Sequence, residues 1–276
     1  MLALFDIGGT HIRIGVAQTG NTIDKTIIVR TPQDFSEGVR QLVDHIRGLA
    51  GIEKITGMCG GIAGVLTKEK SGLATSPNLP LWIGKPLVDT LSKTLDAPCL
   101  LQNDAALGGL GEAVYGAGKG QEIIAYIAVG TGVGGSRIVS GRIDMSAQGF
   151  EPGHQIIAHN GKEDACGPQG HWEAYISGKA LKLAYGKAPE DISDPAVWHE
   201  VAHFFAVGIQ NTIVHWSPDI VVVGGSVGLH IPLTDVSLEL GKLLTIFPKA
   251  PKIAYGTLGK LSVLYGSLTY LQTKGK

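Results

Sequence analysis

The chain has 276 residues, more than a single hydrophobic core usually supports, so the first expectation is a fold of two lobes. Lysine and arginine number 23 against 24 aspartate and glutamate, which argues against a nucleic-acid or membrane partner, and no apolar run reaches the roughly 18 residues that cross a bilayer. Three well-separated cysteines argue against a disulfide framework, and with no visible signal peptide they predict a reducing, cytoplasmic compartment.

The residue pattern in the first part of the chain predicts one α/β lobe that comprises residues 1–106. Apolar, β-branched runs predict strands, and apolar residues at helical spacing predict the helices between them. The predicted order is strand 2–7, strand 12–17, strand 23–29, helix 34–49, strand 55–59, helix 87–95, strand 99–101 and a helix at 105–115. We expect the pair Gly60-Gly61 to end the fourth strand, because paired glycines at strand ends mark tight turns.

The second lobe, predicted for residues 107–276, repeats the start of the first. Strand 123–129 leads through a glycine-rich turn at 130–135 to a return strand at 136–139, just as Gly8-Gly9-Thr10-His11 joins the first two strands. A helix at 197–217, a buried parallel strand at 220–223 and a closing helix at 261–271 follow, and the last helix could pack back on the first lobe. Two similar lobes that face each other would form a cleft, a common place for a ligand.

The two glycine turns predict a polyphosphate site. Glycine lets an anion approach backbone N–H groups closely, and each turn also carries a threonine hydroxyl. A strand follows each turn, which excludes the P-loop and the dinucleotide-binding fingerprint, since both need a helix there. Either turn alone could be a plain hairpin, whereas two in matching positions favour phosphate binding. The candidate phosphate contacts are Gly8, Gly9, Thr10, Thr131 and Gly132.

Two further positions extend this nucleotide site. Asp6 ends the first strand and is either a structural turn residue or a hard carboxylate that orients Mg²⁺ beside the phosphates. Gly224 and Gly225 follow the buried strand at 220–223 and are either a plain turn or a backbone surface for a flat group such as adenine. The residues alone leave both alternatives open.

Asn103 and Asp104 stand between an apolar run and a helix rich in small residues. The simpler interpretation is a helix N-cap, because Asn and Asp accept hydrogen bonds from the N–H groups of a first turn. The alternative is that Asp104 is a base that acts on a hydroxyl group. Taken alone, the pair favours the cap.

Several motifs in order span nearly the whole chain and together resemble the ROK family of bacterial-type sugar kinases and related repressors. They are Leu4-Phe5-Asp6-Ile7-Gly8-Gly9-Thr10, Asn103-Asp104-Ala105, Gly130-Thr131-Gly132-Val133-Gly134-Gly135, Glu151-Pro152-Gly153-His154, and Glu173 with Ser177-Gly178. The resemblance implies an α/β, actin-like ATPase (ribonuclease H-like) fold with two similar lobes. It also implies an ATP- and Mg²⁺-dependent kinase that phosphorylates a hexose hydroxyl, with the 6-hydroxyl of glucose or a related hexose preferred.

The same resemblance implies roles for single residues. Asp104 corresponds to the base that takes the proton from the sugar hydroxyl, and the glycine turns correspond to the phosphate contacts. The residues that it implies around the sugar are Asn103, Glu151, His154 and Glu173, with Gly61 on the sugar side of the first lobe.

Two other functions stay open. One is an N-acetylglucosamine or N-acetylmannosamine kinase, and the other is a non-catalytic, sugar-sensing regulatory protein. The family's repressors add a DNA-binding domain, which we do not expect here because the chain opens directly on the first strand. Dimers are usual in the family, so a homodimer is expected.

The loop that resembles the family's zinc site departs from the pattern. Asp164 and His171 stand where the family has the first and third cysteines, while His154 and Cys166 match it. Aspartate and histidine are legitimate zinc ligands, so these residues could still hold zinc, although the loss of two thiolates lowers selectivity for it. The alternative is a metal-free loop held by the packing of Trp172 and by hydrogen bonds.

Overall fold

The structure is a computed structural model and describes residues 1–18, 22–164, 167 and 169–274. Its internal contacts divide the chain into two compact units. Unit 1 comprises Met1–Val114, Met145–Gly149 and Lys260–Lys276, and unit 2 comprises Tyr115–Asp144 and Phe150–Gly259. The expected boundary after residue 106 therefore differs from the observed division.

The described residues form both strands and helices. The strands are β1 (Leu2–Ile7), β2 (His11–Ala17), β3 (Lys25–Arg30), β4 (Gly57–Ile62), β5 (Val65–Leu66), β6 (Leu73–Thr75), β7 (Cys99–Asn103), β8 (Ile123–Val129), β9 (Val133–Val139), β10 (Arg142–Ile143), β11 (Ile220–Gly224) and β12 (Lys252–Tyr255). The α-helices are α1 (Phe35–Ala50), α2 (Leu87–Leu95), α3 (Asp104–Val114), α4 (Glu173–Ile176), α5 (Gly178–Tyr185), α6 (Pro195–Trp216), α7 (Leu233–Leu243) and α8 (Ser262–Lys274). Short 3₁₀ turns lie at Pro80–Trp82, Pro152–His154, Pro189–Asp191, Gly228–His230 and Gly259–Leu261.

Unit 1 is built on a five-stranded sheet in the order β3-β2-β1-β4-β7. β2 is antiparallel to β1 and β3, whereas β4 is parallel to β1 and β7. Successive side chains of a strand point to opposite faces, so Phe5 and Ile7 join the core with α1 and α2, while Leu4 packs with Leu264 of α8. Asp6, two residues after Leu4, therefore lies on the face of the sheet that α8 covers.

Unit 2 repeats this arrangement. Its five-stranded sheet runs β10-β9-β8-β11-β12, with β9 antiparallel to β8 and β10 and with β11 parallel to β8 and β12. Its core joins apolar residues of β8 and β11 to α6 and α7. The internal repeat predicted from the two glycine turns is thus confirmed, with the same strand order and directions in both sheets.

Two glycine pairs lie inside strands rather than in turns, which corrects the predicted strand ends. β4 continues through Gly60 and Gly61, and β9 already begins at Val133, before Gly134 and Gly135. At Gly60 a Cβ atom would lie 2.0 Å from a ring carbon of Phe5, so glycine is required here by packing and not by a turn. Helices α5 and α7 and strand β12 were not predicted from the sequence.

Helices α3 and α8 explain why the C-terminal helix falls in unit 1. A Cβ atom on Gly111 would lie 2.1 Å from the carbonyl oxygen of Ser262, and one on Gly266 would lie 1.8 Å from that of Leu107. Glycines on both helices therefore bring the two backbones closer than larger residues would allow. Within the residues that the structure describes, every helix is too short or too polar to span a membrane.

Candidate active site

Asn103 and Asp104 have separate roles at the start of α3. The Asn103 side chain accepts a hydrogen bond from the Ala106 N–H at 3.0 Å, which is the N-cap interaction, and its amide nitrogen donates to the Gly64 carbonyl at 3.2 Å. Asp104 is the first helical residue, and its Oδ1 accepts from the Ala105 N–H at 2.8 Å. The capping function thus belongs to Asn103.

The environment of Asp104 disfavours its ionised form. Burial raises the pKa of Asp104 to about 6, and the negative charge of Asp6 adds to the shift. Backbone N–H donors and the positive charge of Arg13 act in the opposite direction. A carboxylate with a pKa near 6 is ionised at neutral pH and is a better proton acceptor than an ordinary aspartate, which suits a general base.

Asp6 forms a buried ion pair that the sequence analysis missed. It faces Arg13 across the β1–β2 ladder, and the Arg13 Nη1 donates to the Asp6 Oδ2 at 2.7 Å. Burial raises the pKa of Asp6, and Arg13 opposes that shift. The hairpin register could have revealed the pair, because Asp6 and Arg13 are equally distant from the turn at residues 9 and 10.

Gly61 is next to Asp104. In the parallel β1–β4 ladder Gly61 is the partner of Asp6, and a Cβ atom at position 61 would lie 3.0 Å from the Asp104 Cα. The same atom would lie 2.8 Å from a methyl carbon of Val263. The missing side chain at Gly61 thus leaves the space that Asp104 occupies.

The first glycine turn is anchored from outside the hairpin. The Gly8 N–H donates to the His11 carbonyl, and the Thr31 hydroxyl donates to the Gly8 carbonyl at 2.6 Å. At Gly9 a Cβ atom would lie 2.7 Å from the Asn78 Cβ, so only glycine fits there. Thr10 is exposed, and the turn presents it to solvent.

The second glycine turn, in unit 2, is anchored by the start of α5. The Gly178 N–H donates to the Gly130 carbonyl at 2.8 Å, and the Lys179 N–H donates to the Thr131 carbonyl at 3.2 Å. Thr131 is exposed, like Thr10 in the first turn. The turn therefore has a fixed backbone and an accessible hydroxyl, as a phosphate contact requires.

Glu173 contacts this same turn. Its carboxylate accepts the Val133 N–H at 3.2 Å, and a Cβ atom on Gly132 would lie 3.0 Å from the Glu173 Oε2. Burial raises the pKa of Glu173, with a further contribution from Asp164. Within unit 2, the structure thus brings a predicted sugar-binding carboxylate against a predicted phosphate turn.

Trp172 fixes the backbone that carries Glu173. Its indole is fully buried against α6, where Gly208 leaves room for the ring, and its Nε1 donates to the Phe204 carbonyl at 2.9 Å. The Trp172 N–H also donates to the Gln155 carbonyl. This packing and these hydrogen bonds are the ones on which the metal-free alternative for the loop depends.

Gly224 and Gly225 lie beside the second glycine turn. Gly225 has φ +82°, a conformation that favours glycine, and a Cβ atom there would lie 2.2 Å from the Val129 carbonyl oxygen. A Cβ atom on Gly224 would lie 2.2 Å from the Tyr126 hydroxyl oxygen. The glycines at the end of β11 thus allow close approach to the strand that leads into Gly130.

His154, Asp164 and His171 converge in unit 2. The two Nδ1 atoms are 3.2 Å apart, and the Asp164 Oδ2 lies 2.9 Å from the Nδ1 of His171 and 3.8 Å from that of His154. Three atoms at these separations can all lie about 2 Å from one point, which is the distance at which zinc binds nitrogen and carboxylate oxygen. Cys166 lies outside the described residues.

These three side chains fit a cation better than a hydrogen-bonded network. A single ring proton would have to serve two acceptors at once, whereas one cation can satisfy both ring nitrogens and the carboxylate. The three residues form a potential metal-binding group among the described residues. Glu151, the remaining predicted sugar contact, is exposed just before the Pro152–His154 turn.

Comparison with known proteins identifies similar sequences and folds. The model of the ROK family matches residues 3–269. The glucokinase of Streptomyces coelicolor is 33% identical over 184 residues, which are 66% of this chain and 57% of that protein. The N-acetyl-D-glucosamine kinase of Salmonella newport is 28% identical over 299 residues, 95% of this chain and 96% of that protein.

A solved structure has the same fold. The ROK family glucokinase of Streptomyces griseus in complex with glucose and AMPPNP aligns with a TM-score of 0.85 at 24% identity, over 99% of both chains. The predicted α/β, actin-like ATPase fold is therefore confirmed. The chain spans little more than half of the Streptomyces coelicolor glucokinase that it matches.

Proposed function

The chain belongs to the ROK family, and from this premise we propose that it is a sugar kinase that transfers the γ-phosphoryl group of ATP to a hydroxyl of a hexose. The observation that carries the proposal is the half-buried carboxylate of Asp104, which does not have to cap the helix because Asn103 does, and whose pKa is raised to about 6. The 6-hydroxyl of glucose is the first candidate acceptor. N-acetylglucosamine and N-acetylmannosamine are the alternatives, because a relative covering 95% of the chain is an N-acetyl-D-glucosamine kinase.

Asp104 acts as the general base in this proposal. Its carboxylate accepts the proton of the attacking hydroxyl as the bond from oxygen to phosphorus forms and the bond to the leaving ADP oxygen breaks. The cap at Asn103 and the hydrogen bond from the Ala105 N–H fix the direction of the carboxylate. Asn103 uses both ends of its amide within the protein, so positioning Asp104 is its first role and a sugar contact its second.

The glycine turns hold the phosphates. Exposed Thr10 and Thr131, with the N–H groups around Gly9 and Gly132, supply donors to phosphate oxygens, and Gly224 and Gly225 would lie against the adenosine. Mg²⁺, when bound, neutralises charge on the phosphoryl group that is transferred. Asp6 would orient the Mg²⁺, because it is a buried carboxylate near the end of the strand that leads into the first glycine turn.

Residues of unit 2 would recognise the sugar. Glu151, His154 and Glu173 offer carboxylate and imidazole groups, which form paired hydrogen bonds with neighbouring hydroxyls. Zinc would be held by His154, Asp164 and His171, and it would fix the loop from which His154 and Glu173 project. Metal analysis of protein purified without chelator tests this part, since a stoichiometry near zero would leave the loop to its packing and hydrogen bonds.

The test of the kinase activity is a panel of sugars offered with Mg-ATP. Purified protein should release ADP with at least one of glucose, mannose, fructose, N-acetylglucosamine and N-acetylmannosamine, and the preferred sugar identifies the acceptor class. Asp104→Asn provides the matched inactive control. Sugar binding by calorimetry without ADP release would instead support a sugar-sensing protein. The expected homodimer stays a prediction, to be tested by light scattering.

A further inference from the structure

Two histidines of α6 form matching pairs with two acids of α7. The His199 Nδ1 lies 3.0 Å from the Asp235 Oδ2, and the His203 Nδ1 lies 2.9 Å from the Glu239 Oε2. Both pairs join residues that are 36 positions apart in the chain, so a step of four residues along α6 matches a step of four along α7. The second pair therefore repeats the first about one helical turn further along both helices.

These hydrogen bonds fix which nitrogen of each ring carries the proton. An ionised carboxylate can only accept, so each Nδ1 donates, and the neutral imidazole keeps its lone pair on Nε2. Hydrogen bonds from Lys242 and His203 lower the pKa of Glu239, so this acid is ionised at neutral pH. Among the residues that the structure describes, neither Nε2 has a hydrogen-bond partner. The His199 side chain is 67% exposed and that of His203 50%, so both lone pairs are accessible.

The spacing of the two histidines suits a shared metal ion. Residues four apart on a helix lie on the same face, with about 5–6 Å between their Cβ atoms, and two histidines at this spacing can bind one ion. A histidine that binds a metal through one ring nitrogen usually donates the other N–H to a carboxylate, which orients the ring and raises its basicity. His199 and His203 each have such a carboxylate in place.

A purely structural role accounts less well for the two pairs. Exposed ion pairs contribute little to stability, and an ordinary histidine is mostly neutral at pH 7, so the pairs would hold the helices together only weakly. The helices already share one apolar core, which contains Val201 and Phe205 of α6 and Val236 and Leu240 of α7. A common ligand explains why the same histidine–carboxylate pair recurs one turn later.

We propose that His199 and His203 form a surface site for one divalent transition-metal ion, bound through the two Nε2 atoms with water in the remaining positions. Asp235 and Glu239 are positioning residues that hold the rings through Nδ1 and are not ligands themselves. Imidazole nitrogen suits Zn²⁺, Ni²⁺ and Cu²⁺, whereas Mg²⁺ prefers oxygen, so the Mg²⁺ of the proposed kinase reaction would not compete. The site shares no residue with the proposed sugar, phosphate or zinc contacts and does not depend on the kinase function.

The test titrates nickel(II) chloride by calorimetry into the full chain, stripped of metal with a chelator, at a slightly alkaline pH where imidazole is neutral. His199→Gln and His203→Gln should each lose about one equivalent of bound Ni²⁺ relative to the wild type. His215→Gln is the matched control, because it removes an exposed histidine of the same helix that has no paired acid within the described residues, and it should bind as the wild type does. Asp235→Ala and Glu239→Ala should weaken the site about tenfold, as loss of a carboxylate behind a metal-bound histidine does.

The group of His154, Asp164 and His171 is unchanged in all these proteins, so any difference between them reports the site on α6 alone. Magnesium chloride titrated under the same conditions should give the same heat in the wild type and in His199→Gln.

Equal Ni²⁺ stoichiometry and affinity in the wild type, His199→Gln and His203→Gln would overturn the proposal. An equal loss in His215→Gln would overturn it too, because the binding would then be a general property of surface histidines. Wild-type affinity in both Asp235→Ala and Glu239→Ala would refute the positioning role of the acids. If either acid variant does not fold, as judged by circular dichroism, the other acid variant and the exposed histidine variants still decide the outcome. A wild type that phosphorylates no sugar would refute the kinase and would leave this titration unaffected.

Discussion

The side chain of Asn103 caps the helix whose first residue is Asp104. The Asn103 Oδ1 accepts a hydrogen bond from the Ala106 N–H at a distance of 3.0 Å. The Asp104 carboxylate is half-buried at this helix start, accepts the Ala105 N–H and is not the N-cap, so it is available to act on a substrate hydroxyl. Substitution of Asp104 is therefore expected to impair catalysis without loss of stability, whereas substitution of Asn103 is expected to lower both stability and catalysis.

Asp104→Asn should remove turnover but preserve binding. The amide has the same shape but cannot accept the hydroxyl proton, and loss of a general base typically lowers the rate about 10²- to 10⁴-fold. Sugar affinity, measured by calorimetry, should stay within a few-fold of the wild type. Wild-type turnover in this variant would show that another group accepts the proton.

Asn103→Ala should lower both stability and activity. Loss of the N-cap hydrogen bond should destabilise the protein by about 1 kcal/mol. The first turn of α3 also becomes more mobile, so the Asp104 carboxylate is held less firmly and kcat should fall. Urea denaturation and steady-state kinetics measure the two effects. Asp194→Ala is the matched control, because Asp194 caps α6 through the Ala196 N–H.

In Asp194→Ala a similar loss of stability should leave kcat unchanged. An equal loss of kcat in the two cap variants would mean that the effect of Asn103 reflects stability alone.

Gly61→Ala should impair catalysis because its new methyl group would lie 3.0 Å from the Asp104 Cα and 2.8 Å from a Val263 methyl carbon. Displacement of a catalytic group by an ångström can lower the rate on the order of 10²-fold. Gly48→Ala is the control, since Gly48 is exposed in α1 with no atom within 4 Å of a new Cβ. It should keep full activity and gain about 0.5 to 1 kcal/mol of stability.

The pH dependence follows from the pKa of Asp104, which is raised to about 6. Below pH 6 the base is protonated, so kcat/KM measured at saturating Mg-ATP should fall about tenfold per pH unit. A constant kcat/KM down to pH 5 would contradict the raised pKa.

The pH dependence of the free energy of unfolding also reports the ionisation of Asp104. The folded-state pKa lies above the unfolded value of about 3.9, so ionisation of Asp104 weakens the fold as pH rises through 4 to 6. Asp104→Asn should therefore be more stable than the wild type at pH 8, and this advantage should shrink as pH falls to 4. Denaturant midpoints at several pH values measure the difference.

Much of the fold could be read from local patterns. Strands of alternating or fully apolar residues, the amphipathic α1, and the glycine turns at Gly8 and Gly130 were all found at or near their predicted positions. The predicted end of β4 and the predicted start of β9 were wrong because Gly60 and Gly134 look like turn residues in a sequence. Their role depends on what packs against them, as the ring of Phe5 does at Gly60, and a sequence without a structure does not show that.

By itself, the sequence determined the element types, the internal repeat and the residue types of the site, because hydrophobic periodicity and glycine placement are local properties. The tertiary structure decided which of Asn103 and Asp104 caps the helix, and it brought Arg13 to Asp6 and Gly61 to Asp104. It also brought one potential metal-ligand atom each of His154, Asp164 and His171 around one point. These relationships depend on strand register, helix packing and burial, which join residues far apart in the chain and shift a pKa only when the surrounding groups are in place.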